Sequence, residues 1–241
     1  MLKIQNLSKS YDEKKAVDSL SLHIQKGEIY GFIGHNGAGK TTTLKACCGI
    51  LAFEEGEIFV DGVSVKSNPL ACKKKIAYIP DNPELYGYMK GIQYLNFVAD
   101  IFGISAEIRQ ERIRRYADAF SLTEALAQPI STYSHGMKQK IAFMGALIHN
   151  PKVFILDEPM VGLDPYTASQ VKVFFKQHAA EGNLVLFSSH NLDVVQRLCH
   201  RVYIIDQGRI LEEVDMVQFR RTGRDFERYF LSITQRVAKV L

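Results

Sequence analysis

The sequence predicts an α/β fold with a mixed or parallel sheet core, an N-terminal antiparallel β subdomain and an inserted α-helical subdomain. Three observations carry this prediction. Two short N-terminal runs alternate apolar and polar residues around a polar turn. A β-rich run, EIYGFIG, ends in glycines and leads into a segment with helical apolar spacing. In the second half, KVFILDEP, NLVLFSSH and RVYIIDQGRIL alternate with helical patterns, the order that builds a parallel sheet.

Taken in order, LKIQNL and DSLSLHI form the antiparallel opening, with Tyr11 to Lys15 in the turn between them. EIYGFIG is a strand, and TTTLKACCGIL after it is a helix. GEIFVDGVSV and KIAYIP are further β stretches. From residue 85 to about 150 the β signal gives way to long helical periodicity. After the three later strands, the charged tail 216–241 is predicted to be helical. No repeat, low-complexity tract or Pro/Ser/Gly linker divides the chain, so 1–241 reads as a single domain and 85–150 as a subdomain within it.

Composition narrows the function classes. With 46% apolar, 23% charged and 10% aromatic residues over 241 positions, the chain has the usage of a folded domain, which excludes disordered, collagen-like and disulfide-scaffold proteins. The net charge is +4, and the basic residues are scattered apart from Lys73, Lys74 and Lys75, so no nucleic-acid partner is expected. Cys47, Cys48, Cys72 and Cys199 make no CxxC pair, which suits reduced thiols in a cytosol. The N-terminus lacks an apolar signal core, and no stretch approaches the ~18 apolar residues of a spanning helix.

Two motifs carry chemistry. GHNGAGKT, comprising Gly34, His35, Asn36, Gly37, Ala38, Gly39, Lys40 and Thr41, matches GxxxxGK[ST] between a strand and a helix. Its glycines let backbone amides turn inward around phosphate oxygens. Lys40 would reach the terminal phosphates, Thr41 would hold Mg²⁺, and Thr42 completes the candidate nucleotide-binding set. A turn that merely caps the next helix is the alternative. Further on, the apolar strand in KVFILDEP ends in Asp157 and Glu158. Adjacent strand residues point to opposite sides, so Asp157 can serve the metal while Glu158 polarises an attacking water. Alone, these acids would also suit a solvated strand end; a phosphate loop upstream favours catalysis.

At these residues the chain resembles the ATP-binding cassette (ABC) family, the nucleotide-binding subunits of ABC transporters, over nearly its whole length. The resemblance implies the P-loop NTPase ABC ATPase fold, with the helical insert carrying the family's signature sequence. That sequence is identified as YSHGMKQK, where Ser134 and Gly136 match LSGGQ while Tyr133, His135 and Met137 depart from it. Physically, Ser134 and the Gly136 amide at a helix N-terminus make an anion site, a plain N-cap being the other reading. Gly162 to Pro165 resemble the family's D-loop, and Ser188, Ser189 and His190 its switch-histidine loop, so His190 is implied to contact the γ-phosphate as a catalytic residue beside Glu158 and Lys40. Tyr11 stands where the family stacks an aromatic on adenine. Asp81, in YIPDNPELY, replaces the usual Gln and keeps an oxygen for Mg²⁺, although a solvated loop acid would look the same.

The resemblance implies ATP and Mg²⁺ as cofactors. It also implies a second cassette, a homodimer partner or a paralogue, whose ATP would meet Ser134 and Gly136. A separate transmembrane permease subunit would dock near the helical subdomain and the Asp81 loop, holding the chain peripherally at the cytoplasmic face of the cell membrane. Tyr86, Tyr88 and Leu95 are candidate contacts that would equally suit the core of the insert. The altered signature and the ending DFERYFLSIT resemble drug, peptide and bacteriocin exporters. Two other classes stay open: a soluble ABC ATPase acting on a non-membrane partner, and a nucleotide-gated interaction protein with little turnover.

Overall fold

The computed structural model describes residues 1–238, so the last three residues of the predicted tail lie outside the described part. Strands β1 (Leu2–Tyr11) and β2 (Lys14–Ile24) form the expected antiparallel pair, with Leu2 opposite Ile24. A second antiparallel partner, β4 (Glu55–Val60), flanks β1 from the other side, pairing Leu2 with Val60. A short β5 (Val63–Ser64) completes a four-stranded sheet in the order β2-β1-β4-β5.

The second sheet holds β3 (Ile29–Ile33), β6 (Ile76–Ile79), β7 (Val153–Leu156), β8 (Leu184–Ser188), β9 (Arg201–Asp206) and β10 (Arg209–Asp215) in the order β10-β9-β3-β8-β7-β6. All its pairs are parallel except β10 with β9. Its central strands are buried along their whole length, as parallel strands covered on both faces must be.

Two β stretches prove to be hairpins. GEIFVDGVSV folds back at Asp61 (φ 53) and Gly62 (φ 80), and RVYIIDQGRIL at Gln207 (φ 46) and Gly208 (φ 76). Two successive left-handed residues are what a type I′ turn needs, and its twist matches the flanking strands. The sequence reading also lacks α2 (Pro69–Lys73), five residues started by an Asn68 cap and a first-turn proline, too short to show a period.

Helix α1 (Lys40–Cys47) follows β3 directly. In the insert, the segment from 81 to 90 is loop, and regular helix begins with α3 (Gly91–Ile101), followed by α4 (Ala106–Phe120) and α5 (His135–Leu147). Leu95 is fully buried and therefore belongs to the core, which removes it from the candidate permease contacts; Tyr86 and Tyr88 are exposed. Helices α6 (Pro165–Ala180) and α7 (Leu192–Leu198) alternate with the last parallel strands, and α8 (Met216–Arg221) and α9 (Phe226–Ala238) form the tail. No helix among the described residues is long and apolar enough to cross a membrane.

Apolar side chains gather on both faces of the parallel sheet. One cluster packs Phe143, Phe154, Phe175 and Phe187 beneath the helices, with Phe154 and Phe175 edge to face at 5.9 Å. The other fills the space between the sheets with Leu2, Ile24, Phe32, Leu44 and Ile155. These cores fix β3, β8 and β7 side by side, so the segments leaving their C-terminal ends share one edge, where ligands of such sheets bind.

Candidate nucleotide site

The loop after β3 is shaped by neighbours that admit no side chain. A Cβ on Gly34 would lie 2.2 Å from the Ile205 carbonyl oxygen. Gly39 has φ 101, and its Cβ would lie 2.4 Å from the Ala16 carbonyl oxygen. Gly39 is also the N-cap of α1, so no side chain occupies the first-turn amides and they remain free to face an anion. Lys40 folds back over the loop, donating to the Gly34 carbonyl at 2.7 Å and the His35 carbonyl at 3.1 Å. Burial lowers its pKa, and the nearby Glu158 and Asp157 carboxylates oppose that shift.

The acids at the end of β7 are tied to this loop. Thr41 donates from Oγ1 to Asp157 Oδ2 at 2.6 Å, and the buried Ser188 hydroxyl, at the end of β8, donates to Asp157 Oδ1. Ser188 Oγ also accepts the Glu158 amide at 2.9 Å. Glu158 itself sits at φ 47, a left-handed conformation uncommon outside glycine. His190 Nδ1 lies 2.9 Å from Glu158 Oε2 with its ring mostly exposed. An ionised carboxylate only accepts, so that contact places a proton on Nδ1 and leaves Nε2 for a ligand.

One cleft runs from Tyr11 and Lys14 past Gly37, Lys40 and Thr42 to Asp81 and Glu158. Tyr11 is about half-exposed at the end of β1, and the Lys9 ammonium lies 5.3 Å from its ring centroid. A second cavity adjoins the first, lined by His35, Asn36, Asp81, Glu158, His190 and Phe230. Ala38 is buried and supports the loop, donating to the His35 carbonyl and accepting from Gly208 N. The oxygens of Thr41 and Asp157, converging with Asp81 in the same cleft, are hard donors that suit Mg²⁺. The described residues contain no cluster of three or more metal-ligating His, Cys, Asp or Glu side chains, so a cation here would draw further oxygens from phosphate and water.

Ser134 and Gly136 do not line this cleft. Ser134 caps α5, accepting the Met137 amide at 3.3 Å, so the plain capping role is met. Several contributors are missing from the sequence reading. Lys14 and Ala16 join the cleft from β2; Phe230 reaches the adjoining cavity from α9, its ring 5.6 Å from that of His35; and buried Gln139 donates from Nε2 to the Asp81 carbonyl at 2.9 Å. Gln139, inside an otherwise apolar helix face, was the one detectable in principle, since a buried amide needs a partner.

A family model described as ABC transporter matches residues 17–161, more than half of the chain. The linearmycin resistance ATP-binding protein LnrL of Bacillus subtilis is 34% identical over 88% of this chain and 68% of its own length. The bacitracin transport ATP-binding protein BcrA of Enterococcus faecalis is 29% identical over the whole chain and 78% of its own length. Among solved structures, one described as the ATP binding subunit of an ABC transporter superposes with a TM-score of 0.92 at 28% identity, covering 97% of this chain and 99% of its own. The dimeric post-hydrolysis ATP-binding cassette MJ0796, bound to ADP and Pi, shares the fold with a TM-score of 0.82 at 21% identity, over 90% of this chain and 99% of its own.

Proposed function

The chain belongs to the ATP-binding, ATP-hydrolysing subunits of ABC transporters, and on that premise we propose that it is the motor of an exporter, acting through a separate transmembrane permease subunit. The observation that carries the motor part of this reading is the Thr41–Asp157–Ser188 network beside the Glu158–His190 pair, all at neighbouring strand ends against the phosphate loop. In this proposal 1–241 is a single ABC ATP-binding domain with its helical subdomain at about 85–150 and its tail at 216–241. Tyr11 stacks on adenine, the backbone of residues 34–39 and the side chains of Lys40, Thr41 and Thr42 bind the phosphates, and Thr41, Asp157 and Asp81 hold Mg²⁺. The metal, when bound, neutralises charge developing on the β- and γ-phosphate oxygens.

Glu158 accepts a hydrogen bond from the attacking water and orients it toward the γ-phosphorus; the water oxygen bonds to phosphorus as the bond to the ADP oxygen breaks, and the water's proton passes to the Glu158 carboxylate. His190 holds Glu158 through Nδ1 and presents Nε2 to the γ-phosphate. Ser134 and Gly136 complete the site of a second cassette, identical or paralogous, so ATP bridges two chains and its hydrolysis releases them. Exposed Tyr86 and Tyr88, beside the Asp81 loop, face the permease at the cytoplasmic side of the membrane. Relatives named for bacitracin transport and linearmycin resistance support export.

The test is co-purification of tagged Glu158→Gln protein from native membranes with Mg·ATP. A multi-span protein should accompany it. Recovery of soluble partners alone would overturn the transporter reading in favour of an ATPase acting on a non-membrane partner.

A further inference from the structure

The first turns of α5 touch more than their own cap. His135, the residue that departs from the family's glycine, lays its imidazole where a Cβ on Gly162 would stand: that atom would lie 2.4 Å from His135 Cδ2 and 2.7 Å from Nε2. Gly162, at φ 75, is held to glycine by its backbone, and it packs directly against this exposed ring, which would have to shift for a side chain to fit. Lys140 Nζ lies 3.6 Å from Asp164 Oδ2, so the start of the same helix meets the 162–164 segment at two points, the His135 ring and this ion pair. This segment continues directly from the acid: the Val161 amide donates to the Glu158 carbonyl at 3.2 Å, closing a tight turn over 158–161 that Gly162 immediately follows. Gly162 is thus joined to Glu158 through one short turn.

We propose that His135 is a positioning residue whose ring braces the Gly162 turn and thereby holds Glu158 of the same chain for hydrolysis. The inference rests on the reading of Glu158 as the group that orients water. Small misplacements of such a group reduce the rate of the chemical step while leaving substrate affinity in place. The brace is a matter of ring shape, so it differs from a role for His135 as a phosphate ligand, which would need a polar nitrogen.

The experiment measures kcat and KM for Mg·ATP in the full chain carrying His135→Ala, His135→Phe, Gly162→Ala and the His135→Ala/Gly162→Ala pair. His135→Ala should lower kcat by about 3- to 10-fold with KM unmoved, and His135→Phe should restore most of it. Gly162→Ala should lower kcat by about 30-fold or more, through left-handed strain and collision with the ring together. The pair should turn over several-fold faster than Gly162→Ala alone, because removing the ring relieves the collision and leaves the strain. A pair no faster than Gly162→Ala, or a His135→Phe variant as slow as His135→Ala, would overturn the brace. If Gly162→Ala fails to fold, the His135 series alone decides. Failure of the underlying reading would appear separately, as undiminished turnover in Glu158→Gln whatever the His135 variants do.

Discussion

Ser188→Ala removes one oxygen that serves two neighbours. The hydroxyl donates to Asp157 Oδ1 and accepts the Glu158 amide at 2.9 Å, with Ser188 fully buried and Asp157 nearly so. A hydrogen bond to a charged group contributes about 1.5–3 kcal/mol, and a buried amide left without an acceptor costs about 1–3 kcal/mol. Since the two effects share an atom and do not simply add, the expected destabilisation is about 3 kcal/mol. For a domain of this size that lowers Tm by about 6–12 °C. The functional signature is separate: Asp157, still held by Thr41 but without the Ser188 bond, should need more Mg²⁺ for half-maximal ATPase activity. Urea titration and a Mg²⁺ series at saturating ATP measure the two effects. In an Asp157→Asn background the same substitution should cost about 1 kcal/mol, since the charge-assisted bond is already gone. A loss below about 1 kcal/mol in the wild-type background, with the Mg²⁺ requirement unmoved, would refute the reasoning.

Two further perturbations probe other parts of the molecule. Tyr11→Ala should weaken ATP binding by about 1–3 kcal/mol, roughly 5- to 150-fold in Kd, whereas Tyr11→Phe should bind as the parent does; fluorescence titration separates them. His149 stacks on Phe102 at 3.7 Å with Nε2 3.2 Å from the Ile76 carbonyl oxygen, and burial pushes its pKa down to about 4. Because the unfolded chain then takes up a proton near pH 6.5 that the folded chain refuses until about pH 4, stability is full above pH 6.5 and falls as pH drops between those values. Denaturant midpoints at pH 7.5 and pH 5 should show the parent losing about 2 kcal/mol more than His149→Gln.

Local chemistry was legible in the sequence because its parts are contiguous. GHNGAGKT carries its own glycines, lysine and threonine, and the strand before Asp157 and Glu158 announces itself by an unbroken apolar run. What the sequence left hidden depends on strand order. Ser188 reaches Asp157 across 31 positions because β8 lies between β3 and β7, and no spacing rule specifies that neighbour. Phe230 meets His35 for the same kind of reason: the tail helix returns to the first parallel strand. Leu95 shows the converse limit, since helical periodicity places it on an apolar face without saying whether that face meets the core or a partner. Of the two hairpins, Asp61-Gly62 between strand runs was a readable I′ turn signal, whereas Gln207-Gly208 lies outside the favoured turn pairs and is revealed by its positive φ values.

The most direct test of the central claim compares Glu158→Gln with the parent in ATP affinity, turnover and self-association. The account predicts affinity within about twofold of the parent, turnover at least ~100-fold slower, and an ATP-dependent dimer that persists. Turnover equal to the parent's would contradict it, because the His190-paired carboxylate at the end of β7 would then have no part in hydrolysis.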